Sequence, residues 1–392
     1  MIEFLLFLFS LLNTAYVLGL AIAGHFYKKK TILPTPHYNR IAILVPCYKE
    51  DHVIRVTAEK FLNLDYPTEQ YDVIIIADAF QQETLNILSK TRAVVLPVAF
   101  SNSMKCKAIN YAFNHIEGKY DIAIIADADN VFAKSFLTDI NSLFQQNYKI
   151  IQAQRVAKNS DTPMAVLDGL SEAINNHLFR QAPNALGLSS ALIGSGMAFP
   201  YELLKKEFSK IHTPVEDKAL QIALVEQGHS ILYQKGTLVF DEKVASPEAY
   251  KNQRRRWIGG QYSMLRKNFL KSFRLLLKGN INFFNIAFIQ NFLPSRINSI
   301  IYLFLLSIVF TIIQHNHTVM LRWWSLTSAY LIALALAVPK RMYSFDTLKA
   351  LLLMPLVVLK TIQAIFLSYN ATKTFIHTQH TTTEANSHKN QD

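Results

Sequence analysis

An apolar run over residues 4–27, with no formal charge, most constrains what this chain can fold into. At about 1.5 Å of rise per residue, an apolar helix of this length spans a bilayer. The alternative, a cleaved signal peptide, would need a basic start, a shorter apolar core and a small-residue cleavage site. Here Glu3 precedes the run and Lys28, Lys29 and Lys30 follow it. We therefore predict an uncleaved transmembrane anchor over residues 1–30, with the basic cluster in the cytosol.

Three further apolar runs lie near the other end of the chain, over residues 297–313, 325–338 and 348–369. The second is short for a membrane span unless Trp323 and Trp324 form its interfacial belt. We predict three C-terminal transmembrane helices within residues 297–369, and Lys340 and Arg341 in the cytosol. The Thr/His/Asn-rich tail, residues 370–392, is predicted to be disordered. Together these runs predict a multi-pass protein of the cell (inner) membrane whose central region lies in the cytoplasm.

The middle of the chain alternates between patterns typical of strands and helices. Apolar runs predict strands at 41–45, 73–76, 93–98 and 121–126, and helices at 51–63 and 105–116. Such βαβ units predict an α/β domain, over residues 37–245, with a mostly parallel sheet covered on both faces. In open sheets of this kind, ligands bind at the carboxyl ends of the strands. Residues 246–296 are basic and amphipathic, so we predict interface helices there.

The formal net charge is +12, from 40 Lys and Arg against 28 Asp and Glu. Many of these cations flank apolar runs, which favours contact with membrane lipids. No nucleic-acid-binding motif accompanies the charge, so we expect no nucleic-acid partner. The two cysteines, Cys47 and Cys106, form neither a disulfide framework nor a zinc motif, and we interpret them as structural thiols.

Acidic residues follow two of the predicted strands. Asp127 and Asp129 flank Ala128 directly after the fourth strand. Carboxylates one residue apart on an extended segment point the same way and can share a hard cation, which would neutralise a departing diphosphate. A solvated loop is the alternative. Asp78, after the second strand, is either a turn or helix-cap carboxylate or an acceptor for a nucleobase or ribose.

Two motifs occur later in the chain. Glu216 and Asp217 open a helical pattern; they are either helix-start acids favoured by the macrodipole or a general base for an acceptor hydroxyl. Gln253, Arg256 and Trp257 would share one face of a helix. That face suits a diphosphate and a stacked sugar, although three consecutive arginines are also typical of a lipid-facing patch.

Two weaker sequence signals also indicate candidate site residues. The Gly-Ser-Gly run at 194–196 either lets the backbone approach a ligand closely or forms a plain tight turn. Lys105 begins a helix, where a cation opposes the macrodipole, so we expect an anionic partner near it.

Together, in this order over residues 41–261, the motifs resemble the membrane-bound family 2 glycosyltransferases. This group includes the cellulose, chitin, hyaluronan and poly-N-acetylglucosamine synthases. The resemblance rests on the V-P-C-Y-K-E, I-I-A-D, K-C-K-A-I-N, D-A-D, G-S-G-M-A-F, E-D and Q-R-R-R-W segments that begin at Val45, Ile75, Lys105, Asp127, Gly194, Glu216 and Gln253.

The resemblance implies a GT-A-like, Rossmann-like domain that performs inverting transfer from a nucleotide sugar, of the UDP-sugar type, to a glycan or lipid-linked acceptor. It implies Asp217 as the base and Mg²⁺ or Mn²⁺ held by Asp129 and Asp127. The implied donor-binding residues are Pro46, Tyr48, Glu50, Asp78, Lys105, Asp127 and Asp129. The implied acceptor and diphosphate residues are Gly196, Glu216, Gln253, Arg256 and Trp257.

Two alternatives remain open from the sequence. A lipid glucosyltransferase of the ceramide type would share a similar aspartate and Q-x-x-R-W layout, and its acceptor would arrive from the membrane plane. A non-catalytic, membrane-bound subunit that binds sugar nucleotides is the alternative from another class. The run Ala-Phe-Gln-Gln-Glu after Asp78, which departs from the pattern of these synthases, is its best support.

Overall fold

The computed structural model describes residues 1–367. The predicted disordered tail over residues 370–392, and the end of the last predicted span, lie outside the described residues.

One eight-stranded sheet forms the centre of the catalytic region. Its first four strands are apolar and rich in β-branched residues, as expected for strands covered on both faces. The strands are β1 (Ile41–Tyr48), β2 (Tyr71–Asp78), β3 (Val94–Val98), β4 (Ile122–Ile125), β5 (Val131–Phe132), β6 (Ile151–Ala157), β7 (Met197–Pro200) and β8 (Leu232–Asp241).

The strand order is β3-β2-β1-β4-β7-β6-β8-β5. The pairs β1–β2, β2–β3, β1–β4 and β6–β8 are parallel, whereas β7 runs antiparallel between β4 and β6, and β5 is antiparallel to β8. The mostly parallel α/β fold is therefore confirmed. The chain reverses its direction across the sheet between β1 and β4, and such a switch point opens a crevice at the carboxyl ends of the strands.

Helices cover both faces of the sheet. Leu44 and Ile125 pack on one face with Phe113, whereas their neighbours Ile43 and Ile124 pack on the other. This alternation follows from the two-residue period of a strand. The helices up to the end of the catalytic region are α1 (Ile2–Ala23), α2 (Asp51–Leu62), α3 (Gln82–Leu88), α4 (Lys105–His115), α5 (Phe136–Gln145), α6 (Pro163–Asn176), α7 (Ala182–Ala185), α8 (Tyr201–Phe208) and α9 (Glu216–Glu226).

A long helix connects the sheet domain to the C-terminal helices. It is α10 (Pro247–Leu276); Ser246 caps it by accepting a hydrogen bond from Ala249 N at 3.2 Å, and Pro247 occupies its first position. Short helical turns follow, which are α11 (Ile281–Phe283), a π-helical segment (Phe284–Ile289) and α12 (Gln290–Phe292).

Within residues 1–367, three helices are long and apolar enough to cross a membrane. They are α1 with its 3-10 extension to Phe26, α13 (Arg296–Gln314) and α14 (His317–Leu336). The middle C-terminal helix begins earlier than predicted and includes both tryptophans. The last predicted span consists of two helices, α15 (Phe345–Leu351) and α16 (Met354–Leu367), bent by 50° relative to each other; counted as one, they make a fourth candidate span.

Candidate active site

A single cavity of about 660 Å³ opens at the carboxyl ends of β1, β2 and β4. It brings together residues that are far apart in sequence, as expected at a switch point. All predicted site residues except Gly196 line it: Pro46, Tyr48, Glu50, Asp78, Lys105, Asp127, Asp129, Glu216, Asp217, Gln253, Arg256 and Trp257.

Asp78, the last residue of β2, lies at one end of this cavity. Its side-chain Oδ1 accepts a hydrogen bond from Phe100 N at 3.1 Å. The other oxygen, Oδ2, is buried and accepts none from the described residues. A buried carboxylate oxygen without a donor costs free energy, so Asp78 offers an acceptor position to a ligand N–H or O–H group.

Lys105 and Asp127 form an ion pair in the middle of the cavity. Lys105, at the start of α4, also donates a hydrogen bond from Nζ to the carbonyl oxygen of Gly194 at 2.8 Å. Burial lowers the pKa of Lys105, but the negative charges of Asp127 and Glu216 outweigh burial and raise the pKa. The expected anionic partner of Lys105 is therefore a carboxylate of this chain.

Asp129 is held by the end of β8. Its Oδ2 accepts a hydrogen bond from Glu242 N at 2.8 Å, and its backbone oxygen accepts one from Lys158 Nζ at 2.7 Å. Asn130 closes the turn by accepting a hydrogen bond from Asp127 N at 3.0 Å. Both aspartates line the cavity, in a conformation that the turn fixes.

Asp127 and Asp129 fit part of a site for a hard divalent cation, because carboxylate oxygens are the ligands such ions prefer. Within residues 1–367, no group of three or more His, Cys, Asp and Glu side chains is arranged around one metal position. Two carboxylates therefore supply an incomplete ligand set, which diphosphate oxygens and water can complete, as Mg²⁺ sites commonly require.

Glu216 and Asp217 occupy the first turn of α9. Asp217 Oδ1 accepts a hydrogen bond from Lys218 N at 2.8 Å. Burial raises the pKa of Glu216 to about 7; the positive charge of Lys105 opposes this shift and the nearby Asp217 adds to it. Two adjacent carboxyls thus differ in environment, and one of them titrates near neutral pH.

A glycine backbone lies against this acidic pair. Gly194 has a φ of +88°, and a Cβ added there would lie 3.8 Å from Asp217 Oδ2 and 3.9 Å from Lys105 Nζ. The left-handed conformation favours glycine and lets the backbone approach both side chains.

Gly196, by contrast, is not among the residues that line the cavity, and its place at the acceptor stays a prediction. A Cβ there would lie 2.5 Å from Val239 Cγ2 in the core, and Gly196 N donates a hydrogen bond to Ile125 O at 2.8 Å. Its lack of a side chain lets the chain enter β7, between β4 and β6, without a clash with Val239. Of the two glycines, only Gly194 lines the site.

The α10 helix presents Gln253, Arg256 and Trp257 to the cavity at the predicted i, i+3, i+4 spacing. Arg254 also lines the cavity, although it was not among the predicted site residues. Its guanidinium lies over Trp257, 4.3 Å from the ring centroid, and forms an ion pair of 2.9 Å with Asp168. Only its place within the arginine run could have indicated it. Because Asp168 of α6 holds Arg254, the guanidinium of Arg254 orients the ring of Trp257.

A buried charge network in the wall of the cavity was also not predicted. Arg155 donates a hydrogen bond to Glu172 at 2.9 Å and Arg180 donates one at 3.0 Å. Lys243 pairs with Asp241 at 2.7 Å. Burial raises the pKa of Glu172, but Arg155 and Arg180 outweigh burial and lower it. Charged residues spaced this widely carry no local sequence signal.

The cavity continues from this network to the apolar helices. Asn13 and Tyr16 of α1, Arg296 of α13, Tyr330 of α14 and Thr361 of α16 line its far end. Polar contacts hold these helices together: Asn13 Nδ2 donates hydrogen bonds to Ser299 Oγ at 3.0 Å and to Tyr302 Oη at 2.8 Å.

Comparison with known proteins agrees with this geometry. A model of a family described as glycosyltransferase-like family 2 matches residues 37–260, more than half of the chain. The chain belongs to this family. The resemblance inferred from the motifs is confirmed.

Among curated family members, the beta-monoglucosyldiacylglycerol synthase of Trichormus variabilis is 25% identical over 286 residues, 69% of this chain and 60% of that protein. The chain thus spans less than two thirds of the length of such relatives. Cellulose synthase 1 of Komagataeibacter xylinus is 29% identical over 106 residues, 26% of this chain and 7% of its own.

Among solved structures, the mannosyltransferase PcManGT from Pyrobaculum calidifontis, in complex with GDP-Man and Mn²⁺, superposes with a TM-score of 0.52 at 16% identity. The match covers 93% of this chain and 98% of that one. At this identity the likeness concerns the fold, which is the GT-A, Rossmann-like fold that the motifs implied.

Proposed function

We propose that this protein is an inverting glycosyltransferase that moves a sugar from a nucleotide-sugar donor, of the UDP-sugar type, to a lipid acceptor in the membrane. The observation that carries this proposal is the continuous cavity, which extends from Asp78 and Asp217 to Asn13 and Tyr330 on the apolar helices. A soluble glycan would not need such a passage. The relative named beta-monoglucosyldiacylglycerol synthase makes a glycolipid by its name, which also favours a lipid acceptor.

The donor would bind at the strand ends. The buried Oδ2 of Asp78 is suited to accept a hydrogen bond from the nucleobase. Pro46, Tyr48 and Glu50 would form the wall beside it, and Lys105 would bind near the diphosphate. Asp127 and Asp129 would hold Mg²⁺ or Mn²⁺, which supplies Lewis-acid stabilisation of the departing nucleoside diphosphate.

The acceptor would react at the start of α9. Asp217 would accept the proton of the acceptor hydroxyl as its oxygen bonds to the anomeric carbon. The bond from that carbon to the diphosphate breaks on the opposite face, so the configuration inverts and no covalent enzyme intermediate forms. Gln253 and Arg256 would bind the leaving group, Trp257 would stack on the sugar, and Glu216 would tune the charge around the base.

This function requires a defined arrangement in the membrane. We propose that residues 1–30 and the helices within 297–369 span the cell (inner) membrane and that residues 37–245 lie in the cytoplasm. The α10 helix would lie along the interface, because it carries exposed apolar side chains, including Tyr262, Leu270 and Phe273.

The proposal is tested with Asp217→Asn in purified, detergent-solubilised protein that is given radiolabelled nucleotide sugars and membrane lipids. We expect transfer to fall about 10²–10⁴-fold, the usual contribution of a general base, while nucleotide binding is retained. Asp65→Asn, at an exposed carboxylate outside the cavity, is the control and should retain full activity. Undiminished turnover in Asp217→Asn, or a growing glycan polymer as the product, would contradict the proposal.

A further inference from the structure

Arg296 is a cation without a charged partner in the wall of the cavity. It begins α13, and its Nη2 donates hydrogen bonds to Ser171 O at 3.0 Å and to Ser171 Oγ at 2.9 Å. Both acceptors are neutral, and within residues 1–367 Arg296 forms no ion pair with a carboxylate. A charge withdrawn from bulk water without a counter-ion is costly, so this position favours an anionic ligand.

The neighbouring carboxylates do not neutralise Arg296, because each of them already forms an ion pair with one or two other cations. Arg296 and the four paired cations nearest to it in this wall share three carboxylates, none of which forms an ion pair with Arg296 within residues 1–367. The paired cations are Arg155 and Arg180 with Glu172, Lys243 with Asp241, and Arg254 with Asp168.

A chain of contacts orders the groups along the cavity. Lys105 donates a hydrogen bond to Gly194 O, and Arg155 donates one to the neighbouring carbonyl oxygen of Ile193 at 3.1 Å. Arg155 pairs with Glu172, whose neighbour Ser171 accepts hydrogen bonds from Arg296. Arg296 is therefore connected to Lys105 through Arg155 and the neighbours Glu172 and Ser171, and it lines the cavity together with residues of α1 and α14.

We propose that the acceptor is an anionic phospholipid in which a phosphodiester joins the apolar tail to a hydroxyl-bearing headgroup. The proposal rests on the lipid-acceptor function above and narrows it. The tail would lie among the apolar helices, the phosphodiester against Arg296, and the hydroxyl at Asp217. In the reaction the headgroup oxygen bonds to the anomeric carbon, its proton passes to Asp217, the nucleoside diphosphate leaves, and the phosphodiester remains intact.

This acceptor differs in charge from the glycolipid in the name of the Trichormus variabilis relative, since monoglucosyldiacylglycerol contains no phosphate. An arginine is suited to a lipid that contains a phosphate, because its guanidinium can donate two parallel hydrogen bonds to phosphate oxygens.

The experiment compares phosphatidylglycerol with diacylglycerol of the same acyl chains as acceptors for the full chain in detergent, with a labelled nucleotide sugar. We expect kcat/KM to be at least tenfold higher for phosphatidylglycerol. Arg296→Gln should lower that value at least tenfold, mainly through KM, and leave transfer to diacylglycerol within twofold. Arg296→Lys should retain part of the preference. Arg274→Gln, at an exposed arginine of α10, should match the unsubstituted protein.

Equal use of the two lipids, or an equal loss with both lipids in Arg296→Gln, would overturn the inference. Phosphatidic acid, which has no headgroup hydroxyl, separates recognition from membrane charge. The inference fails if added phosphatidic acid raises kcat/KM for diacylglycerol by as large a factor as that by which phosphatidylglycerol exceeds diacylglycerol. If only diacylglycerol accepts the sugar, this inference is overturned but the proposed function is not. If a soluble glycan accepts the sugar and neither lipid does, the proposed function is overturned as well.

Discussion

Glu216 lies beside Asp217 in the first turn of α9, and burial raises its pKa to about 7. The folded state therefore binds a proton more tightly than the unfolded state, where the pKa is near 4.5. Stability is lost as the pH rises from about 4.5 to about 7, by at most about 3 kcal/mol and by less where solvent screens the carboxylate.

Glu216→Gln removes this titration. We expect the variant to unfold at a higher temperature than the unsubstituted protein at pH 8, with a difference that shrinks as the pH falls toward 4.5. Apparent thermal midpoints in detergent at pH 5 and pH 8 measure this. Glu59→Gln, at an exposed carboxylate of α2, should show the same small difference at both pH values. A stability gain for Glu216→Gln that does not depend on pH would contradict the assignment.

Single residues also show how far local sequence can identify a site. The motifs singled out Asp78, Asp127, Asp217 and Trp257, which all line the cavity, because each follows a strand, opens a helix or shares one helix face. They could not distinguish Gly194 from Gly196, since both have a positive φ and both lie in one short run. Only the packing of Val239 against Gly196 separates them.

At the scale of elements, the packing of α10 against the chain before α9 positions the acidic pair. A Cβ added to Gly260 would lie 2.6 Å from Val215 Cγ1, and Val215 immediately precedes Glu216. Valine has few alternative rotamers, so the added methyl would have to move the backbone.

Gly260→Ala should therefore reduce both stability, by about 1–3 kcal/mol, and transfer activity. The double variant Val215→Ala/Gly260→Ala should recover most of the activity, because it removes the contacting methyls. Thermal unfolding and initial rates measure the two effects. Gly19→Ala, where nothing lies within 4 Å of the added Cβ, is the control. Full activity in Gly260→Ala would show that this contact does not position the acids.

Elements differ in how visible they are in the sequence. The first four strands and the helices α2 and α4 were predicted closely, because their apolar residues are contiguous or periodic. The strands β5 to β8 were not predicted. In β6, Gln152 is fully buried, and its Nε2 donates hydrogen bonds to Ala153 O and Ser195 O, both at 3.0 Å. A polar residue that is satisfied by distant backbone breaks the apolar pattern on which strand prediction depends.

At the scale of the molecule, α1 connects both parts of the protein. Its end contacts the catalytic region, where His177 Nε2 donates a hydrogen bond to Ala21 O at 2.7 Å. Tyr27 Oη donates another to Tyr233 O at 2.6 Å. Farther along α1, Asn13 contacts α13 and lines the cavity. The first helix and the C-terminal helices thus enclose the cavity together.

Asn13→Leu should loosen this enclosure, because the hydrogen bonds to Ser299 and Tyr302 are lost. We expect transfer to lipid to fall by about tenfold, which corresponds to the loss of one or two hydrogen bonds, while hydrolysis of the nucleotide sugar persists. Parallel assays of the two reactions measure this. Leu8→Ala is the control, since Leu8 is an exposed residue of the same helix and is not among the residues that line the cavity. An equal loss of hydrolysis would argue against a role in the acceptor passage.

The sequence by itself determined the apolar helices, the α/β alternation and the motifs at the strand ends, because each depends on residues that are close in the chain. Tertiary structure alone decided the pairing of Lys105 with Asp127, the continuity of the cavity with the helices and the position of Arg296, which forms no ion pair within residues 1–367. These depend on distances between segments that lie up to three hundred positions apart in sequence, as the contact of Asn13 with Tyr302 illustrates. Local patterns carry no information about such distances, since burial and pairing arise only when the segments pack.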